Sequence, residues 1–203
     1  MTITLHGVPG TRSTRAQWLL EELGVPYEHH KLDFMKGEHK GAAHLARHRH
    51  GLVPAMDLGT GPMIESAAMC LALADLHEDK LLAPKPTSPT RARYYEAIVY
   101  AISTLDECVI PLYFHKKVLP EAQRDAQVIA AKEPTWKVAA DVLTDRLGDK
   151  PYLCGQDFTA ADIVVGYDLV LALEIGLLKN HLKLADYAQR LMARPAFKRA
   201  FPM

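Results

Sequence analysis

Residues Gly51–Ser66 read GLVPAMDLGTGPMIES. Leu52 and Val53 lead through Pro54 into a short alternating strand, Ala55 to Leu58. Gly59, Thr60, Gly61 and Pro62 supply the turn chemistry of a tight reversal. Met63 and Ile64 begin a second strand, and Glu65 and Ser66 open a helical run, Ala67 to His77. A Val-Pro step entering a strand is a candidate cis bond, because the cis form costs little only before proline. A cis bond there turns the Val53 main chain outward, free to pair with an extended ligand. At Glu65 and Ser66 the free amides and dipole of a helix N-terminus favour an anion. The Glu65 carboxylate can meet an ammonium. The stretch therefore reads as a dock for a small peptide that carries a free α-amino and a free α-carboxylate group.

Working outward, Ile3 and Leu5 alternate with Thr2, Thr4 and His6 as a strand, and Gly7 to Arg12 form a loop. Ala16, Leu19, Leu20 and Leu23 lie on one face of a helix over Ser13 to Leu23, which Gly24 ends. Tyr27 to Leu32 is a second strand, and a short helix fits around Ala42 to His48. The order β-α-β-α-β-β-α allows a right-handed βαβ unit followed by a hairpin and helix, a thioredoxin-like layout. The domain is set at residues 1–79.

Pro84, Pro86 and Pro89 mark residues 80–89 as a linker, and 90–203 read as all-helical. Ser88 and Pro89 look like a cap and first-turn proline. A stripe from Tyr94 through Ile98, Ala101, Ile102, Leu105, Val109 and Leu112 follows, with Pro111 expected to kink or end it. Glu121 to Leu147 is a second helical run that Pro134 should bend or divide. Thr159 and Asp162 form a capping box, with Phe158 and Ile163 placed as a hydrophobic staple, ahead of an almost wholly apolar helix to Ile175. Asp186 to Met192 is the last helix, with Pro195 opening a short tail.

The 203 residues are 49% hydrophobic and 24% charged with zero formal net charge, which suits a soluble globule. No basic run points to nucleic acid or an anionic membrane. No apolar run is expected to reach membrane-spanning length, and no secretory leader is read at Met1 to Leu5. The three cysteines, Cys70, Cys108 and Cys154, are odd in number and widely spaced. That argues for a reducing, cytoplasmic setting. His44 and His48 are four apart, with His39 and His50 near, but zinc needs three or four converging ligands and no HExxH is present. A solvated polar face is the expectation, with no metal. Cys70 is read as core packing.

Val53-Pro54 and Glu65-Ser66, at this spacing, resemble the glutathione-binding half of the cytosolic glutathione transferases. The run TRAQWLLEELGVPYE (Thr14 to Glu28) and the Thr159–Asp162 box are also typical of that family, so the resemblance covers residues 2 to 201. It implies an enzyme that binds glutathione as co-substrate, activates its thiol and joins it to a hydrophobic electrophile held by the helical domain. It also implies a homodimer. The thiol has an unperturbed pKa of ~8.5, so it needs a donor to become thiolate at neutral pH. In this family the donor comes from the end of the first strand or the start of the first helix. Here that region, Val8 to Thr14, holds no Tyr and no Cys. The donor is then the Thr11 or Ser13 hydroxyl, or a backbone N–H at Arg12 or Ser13. Thr11 comes first by its loop position, although relatives often carry Ser there, and either hydroxyl alone could be only a helix cap.

The resemblance further assigns Leu52, Val53, Pro54, Glu65 and Ser66 to glutathione, with Val53 acting through its backbone. Leu52 stands where relatives often have Lys. His39, Lys40 and His50 are therefore candidates for the glycyl carboxylate. Glutathione-dependent peroxidase or isomerase chemistry, or a non-catalytic binding or assembly role, are the alternatives. The isomerases tend to carry a Ser-Ser-Cys loop, which Gly10-Thr11-Arg12 does not match.

Overall fold

The structure is a computed structural model, and residues 2–201 are described. The chain divides into two compact units, one of residues 2–82 with 194–201 and one of residues 83–193.

In the first unit, strand β1 (Ile3–Gly7) is followed by helix α1 (Ser13–Leu23), strand β2 (Tyr27–Lys31) and a short helix α2 (Ala42–Leu45). Strands β3 (Ala55–Asp57) and β4 (Pro62–Ile64) and helix α3 (Ser66–Leu76) complete the series. The sheet order is β2-β1-β3-β4, with β1 parallel to β2 and the other neighbours antiparallel. This is the thioredoxin-like arrangement that the element order implies. Leu5 and Met56 are fully buried, as are Trp18, Leu19 and Leu20 of α1 and Met69, Cys70 and Leu73 of α3. Gly24 ends α1 in the left-handed conformation, and its N–H closes on the Leu20 carbonyl.

The second unit holds α4 (Thr90–Tyr100), α5 (Asp106–Tyr113), α6 (Ala126–Leu147), α7 (Ala160–Glu174) and α8 (Leu182–Met192). Pro111 lies inside α5 and does not end it. The helical path runs from Thr90 to Val118, with π-helical turns at Ala101–Leu105 and Phe114–Val118 on either side of α5. By length and apolar composition this 29-residue run could cross a membrane, contrary to the expectation that no such run exists. Ala101, Leu105, Cys108, Val109 and Leu112 are buried within the unit as a core stripe, while Val99, Ile102, Phe114 and Val118 are exposed, Ile102 contrary to the stripe expected from sequence. Helix α6 starts at Ala126, where Asp125 caps the Gln127 N–H, and runs through Pro134 undivided. Every residue from Ala160 to Ala172 in α7 is buried.

The residues beyond Arg194 differ from the expected tail. Helix α9 (Pro195–Ala200) starts on a proline, which suits the first helical position, and packs on α1 in the first unit. Phe197 meets Trp18 edge to face at 5.0 Å. Arg194 forms a two-pronged pair with Glu22 at 2.6 and 2.8 Å, and Arg199 donates to Glu21 at 2.5 Å.

Candidate functional site

Strand register gathers the candidate residues at one end of the sheet. His6, Ala55 and Ile64 sit side by side across β1, β3 and β4. Just beyond that row come the loop after β1, the Val53-Pro54 step before β3 and the Glu65-Ser66 step after β4. Three segments far apart in sequence thus emerge together because β3 runs antiparallel to both neighbours.

The Val53–Pro54 peptide is cis. Pro54 is buried and Val53 half-buried. Among the described residues, none hydrogen-bonds the Val53 N–H or C=O. Main-chain groups of a folded protein are almost always paired or hydrated, and an open pair beside a strand has the chemistry to take an added extended segment.

Glu65 is exposed and holds φ 74, ψ 105, a left-handed conformation that a non-glycine residue adopts at a cost of ~1–3 kcal/mol. It is therefore the residue before the helix, which begins at Ser66. No side chain caps α3, whose first internal bond runs from the Met69 N–H to the Glu65 carbonyl. The N–H groups of Ser66, Ala67 and Ala68 remain available to an anion.

The loop after β1 is bonded to itself. Thr11 Oγ1 lies 2.6 Å from the Val8 carbonyl and 2.9 Å from Ser13 Oγ, and it accepts from the Ser13 N–H at 3.3 Å. Ser13 Oγ accepts the Val8 N–H at 3.2 Å, and Thr14 Oγ1 accepts the Gly10 N–H at 3.1 Å. Ser13 is fully buried beneath Gly7, where an added Cβ would fall 2.6 Å from the Ser13 Cβ. Thr11 is half-exposed and Arg12 exposed. Of the two hydroxyls, Thr11 is the one that reaches solvent.

His39 and Lys40 precede α2, and Lys40 Nζ donates to the His50 carbonyl at 2.9 Å. The Lys40 stem lies along Gly51, whose φ of +58 and missing Cβ allow the approach; a Cβ would sit 2.7 Å from Lys40 Cδ and 2.8 Å from the His39 carbonyl. A cation therefore stands next to exposed Leu52. His44 and His48 are not on a solvated face: both are buried, and His44 Nε2 lies 2.7 Å from the Leu52 carbonyl. Burial lowers the His48 pKa, helped by His44 and His50 and opposed by Glu65. Sequence reasoning missed His44, and only its distance of eight residues from Leu52 could have hinted at the contact.

Among the described residues, no group of three or more His, Cys, Asp or Glu could hold a metal ion. Burial pushes the Cys70 thiol up to about 12, which makes it inert as a nucleophile. Tyr94 is core, while Tyr95 is exposed.

Comparison with known proteins agrees across both units. The family described as Glutathione S-transferase, N-terminal domain matches residues 1–74, and Glutathione S-transferase, C-terminal domain matches residues 103–195. The chain is 31% identical over 153 residues to a probable glutathione S-transferase of Oryza sativa subsp. japonica, covering 74% of this chain and 71% of that one. Its fold is similar to poplar glutathione transferase F1, with a TM-score of 0.90 at 21% identity over 100% and 98% of the two chains. A glutathione transferase family member from Pseudomonas fluorescens, solved with two glutathione bound, gives 0.86 at 22% identity over 98% and 92%.

Proposed function

This chain belongs to the glutathione S-transferase family, and on that premise we propose that it binds glutathione at the sheet end and activates its thiol at Thr11. The thiolate then attacks a hydrophobic electrophile. The observation that carries this reading is the open Val53 main chain, flanked by the uncapped start of α3 and by the Thr11 loop.

In this assignment the cysteinyl part of glutathione pairs with the Val53 N–H and C=O as an added strand does. The γ-glutamyl carboxylate takes the Ser66 hydroxyl and the free amides of α3, and the ammonium takes Glu65. Lys40 neutralises the glycyl carboxylate from beside Leu52, with His39 and His50 near it. The thiol loses its proton to solvent, and the Thr11 hydroxyl donates to the resulting thiolate. That hydroxyl has one proton, which the resting loop directs to the Val8 carbonyl or to Ser13. Donation to sulfur therefore requires the O–H to rotate away from these acceptors, while the threonine methyl holds the oxygen in place by restricting χ1. In the chemical step a carbon–sulfur bond forms as the electrophile's leaving group departs with its electron pair. Where the electrophile is an epoxide, the ring opens instead. The protein functions in this reading as a homodimer.

The test is retention on immobilised glutathione, followed by initial rates with aryl halides, epoxides and organic hydroperoxides. Retention by the intact protein, lost in Glu65→Ala, is expected. An intact protein that does not bind glutathione rules the proposal out, and turnover of hydroperoxides alone would replace the transferase with a peroxidase.

A further inference from the structure

His44 lies within the four-residue helix α2 and is 2% exposed. Its Nε2 is 2.7 Å from the Leu52 carbonyl. A carbonyl can only accept, so Nε2 carries the proton and donates. Its Nδ1 is buried with no partner among the described residues. A buried imidazole with one nitrogen unmet is an unfavourable way to fill space, and an aliphatic side chain would fill it without that cost. The contact with Leu52 is what the imidazole adds.

That contact has a geometric consequence. The Leu52 carbonyl and the Val53 N–H belong to the same peptide unit. The Leu52–Val53 bond is not among the cis bonds, and in a trans peptide the C=O and N–H point in opposite directions. Holding the carbonyl against α2 therefore aims the Val53 N–H away from α2. Gly51 reinforces the placement, because the missing Cβ lets the His39 carbonyl and the Lys40 stem close on the chain one residue before Leu52. The segment before Pro54 is thus clasped from behind, with its open main chain facing out.

We propose that His44 is the positioning residue of the peptide dock: its grip on the Leu52 carbonyl fixes the peptide plane that presents the Val53 N–H to glutathione. The inference rests on the reading that Val53 binds glutathione through its backbone. His44 itself touches no ligand in this assignment, and His48, at 6.2 Å between ring centroids, packs beside it without sharing the contact.

The test compares wild type, His44→Leu and His44→Gln by calorimetric titration with glutathione and by steady-state rates. Leu should raise the Kd and KM for glutathione by ~5–10-fold, the scale of one net hydrogen bond. The KM for the electrophile and kcat at saturating glutathione should hold. Gln, whose amide can still donate to Leu52, should restore affinity to within about twofold. If Leu does not fold, His44→Asn replaces it, since its amide is too short to reach; equal affinity in Gln and Asn overturns the inference. It is also overturned if Leu binds as wild type, or if thermal stability and kcat fall while KM for glutathione stays put. A wild type that does not bind glutathione overturns the site reading itself, which separates the two failures.

Discussion

Helices α3 and α7 begin in opposite ways. Thr159, before α7, is extended and buried, and the Asp162 side chain accepts its N–H at 2.8 Å to close a capping box. Asp162 is fully buried and also accepts the Leu153 N–H at 2.9 Å and the Tyr187 hydroxyl at 2.5 Å. Burial pushes its carboxyl up, and these same bonds oppose the shift. Glu65, before α3, is exposed and left-handed, and no side chain caps the helix. One start closes on itself and supports its unit. The other is left strained and open, with its hydrogen-bonding capacity unspent on the fold. The start of α1 lies between them, since its hydroxyls are bonded internally but Thr11 still reaches solvent.

Removing the closed start should have the largest effect. Asp162→Ala strips the acceptor from two buried amides and a buried phenol and should lower unfolding free energy by ~3–5 kcal/mol. Chemical denaturation measures this, and a loss below ~1 kcal/mol would show that the box is ornamental. Thr11→Ala should slow thioether formation at neutral pH by ~10²-fold, near 2.7 kcal/mol, with little change in glutathione affinity. If the rate and its pH dependence are unchanged, backbone N–H groups stabilise the thiolate.

Glu65→Ala should weaken glutathione binding by ~10-fold or more, as expected for a lost charge-assisted contact, while the melting temperature stays level. Glu65→Gly sharpens the contrast. Glycine accepts the left-handed backbone, so this variant should melt no lower than wild type and gain up to ~1 kcal/mol, yet still lose binding. A Glu65→Gly protein that melts markedly lower would mean that the residue serves the fold as the α7 box does.

The smallest effect concerns acid. His6 is buried on the sheet and its pKa falls to about 4, chiefly through burial and then through Arg47, His30 and His44, with Asp57 opposing. The unfolded chain takes up this proton near pH 6.5, before the folded chain does. The stability that neutral His6 contributes is therefore full above pH 6.5 and is lost as pH falls toward about 4. His29 and His48 shift in the same direction. Because His6 lines an open cleft with Thr4, His29, Arg47 and Asp57, the loss should be only ~1–2 kcal/mol by pH 4.5. His6→Gln should flatten that limb of a stability-against-pH curve.

What the sequence disclosed follows the same division. Local chemistry was legible: the Val53-Pro54 step, the Gly59–Pro62 reversal, the Thr159–Asp162 box, and the strand and helix order of the first unit. Features set by distant partners were not. Residues from Arg194 onward look like a tail until Glu21, Glu22 and Trp18 are beside them, more than 170 residues away in the chain. His44 and His48 look like surface residues by type, and only the Leu52 carbonyl explains burying the first of them. Pro111 predicts a break, but a run with one buried face carries on past one missing backbone donor, with π turns on either side. At the candidate site the stretches that the sheet brings to one end were readable. The difference in exposure between Thr11 and Ser13 was not, because it turns on Ser13 lying beneath Gly7.

The most direct test of the account is a pH titration of the ultraviolet absorbance of protein-bound glutathione, in wild type and Thr11→Ala. The account predicts that the bound thiol ionises well below its free value of ~8.5 in wild type and moves back toward that value in the variant. A wild-type thiol that titrates like free glutathione, or a variant indistinguishable from wild type, would contradict it.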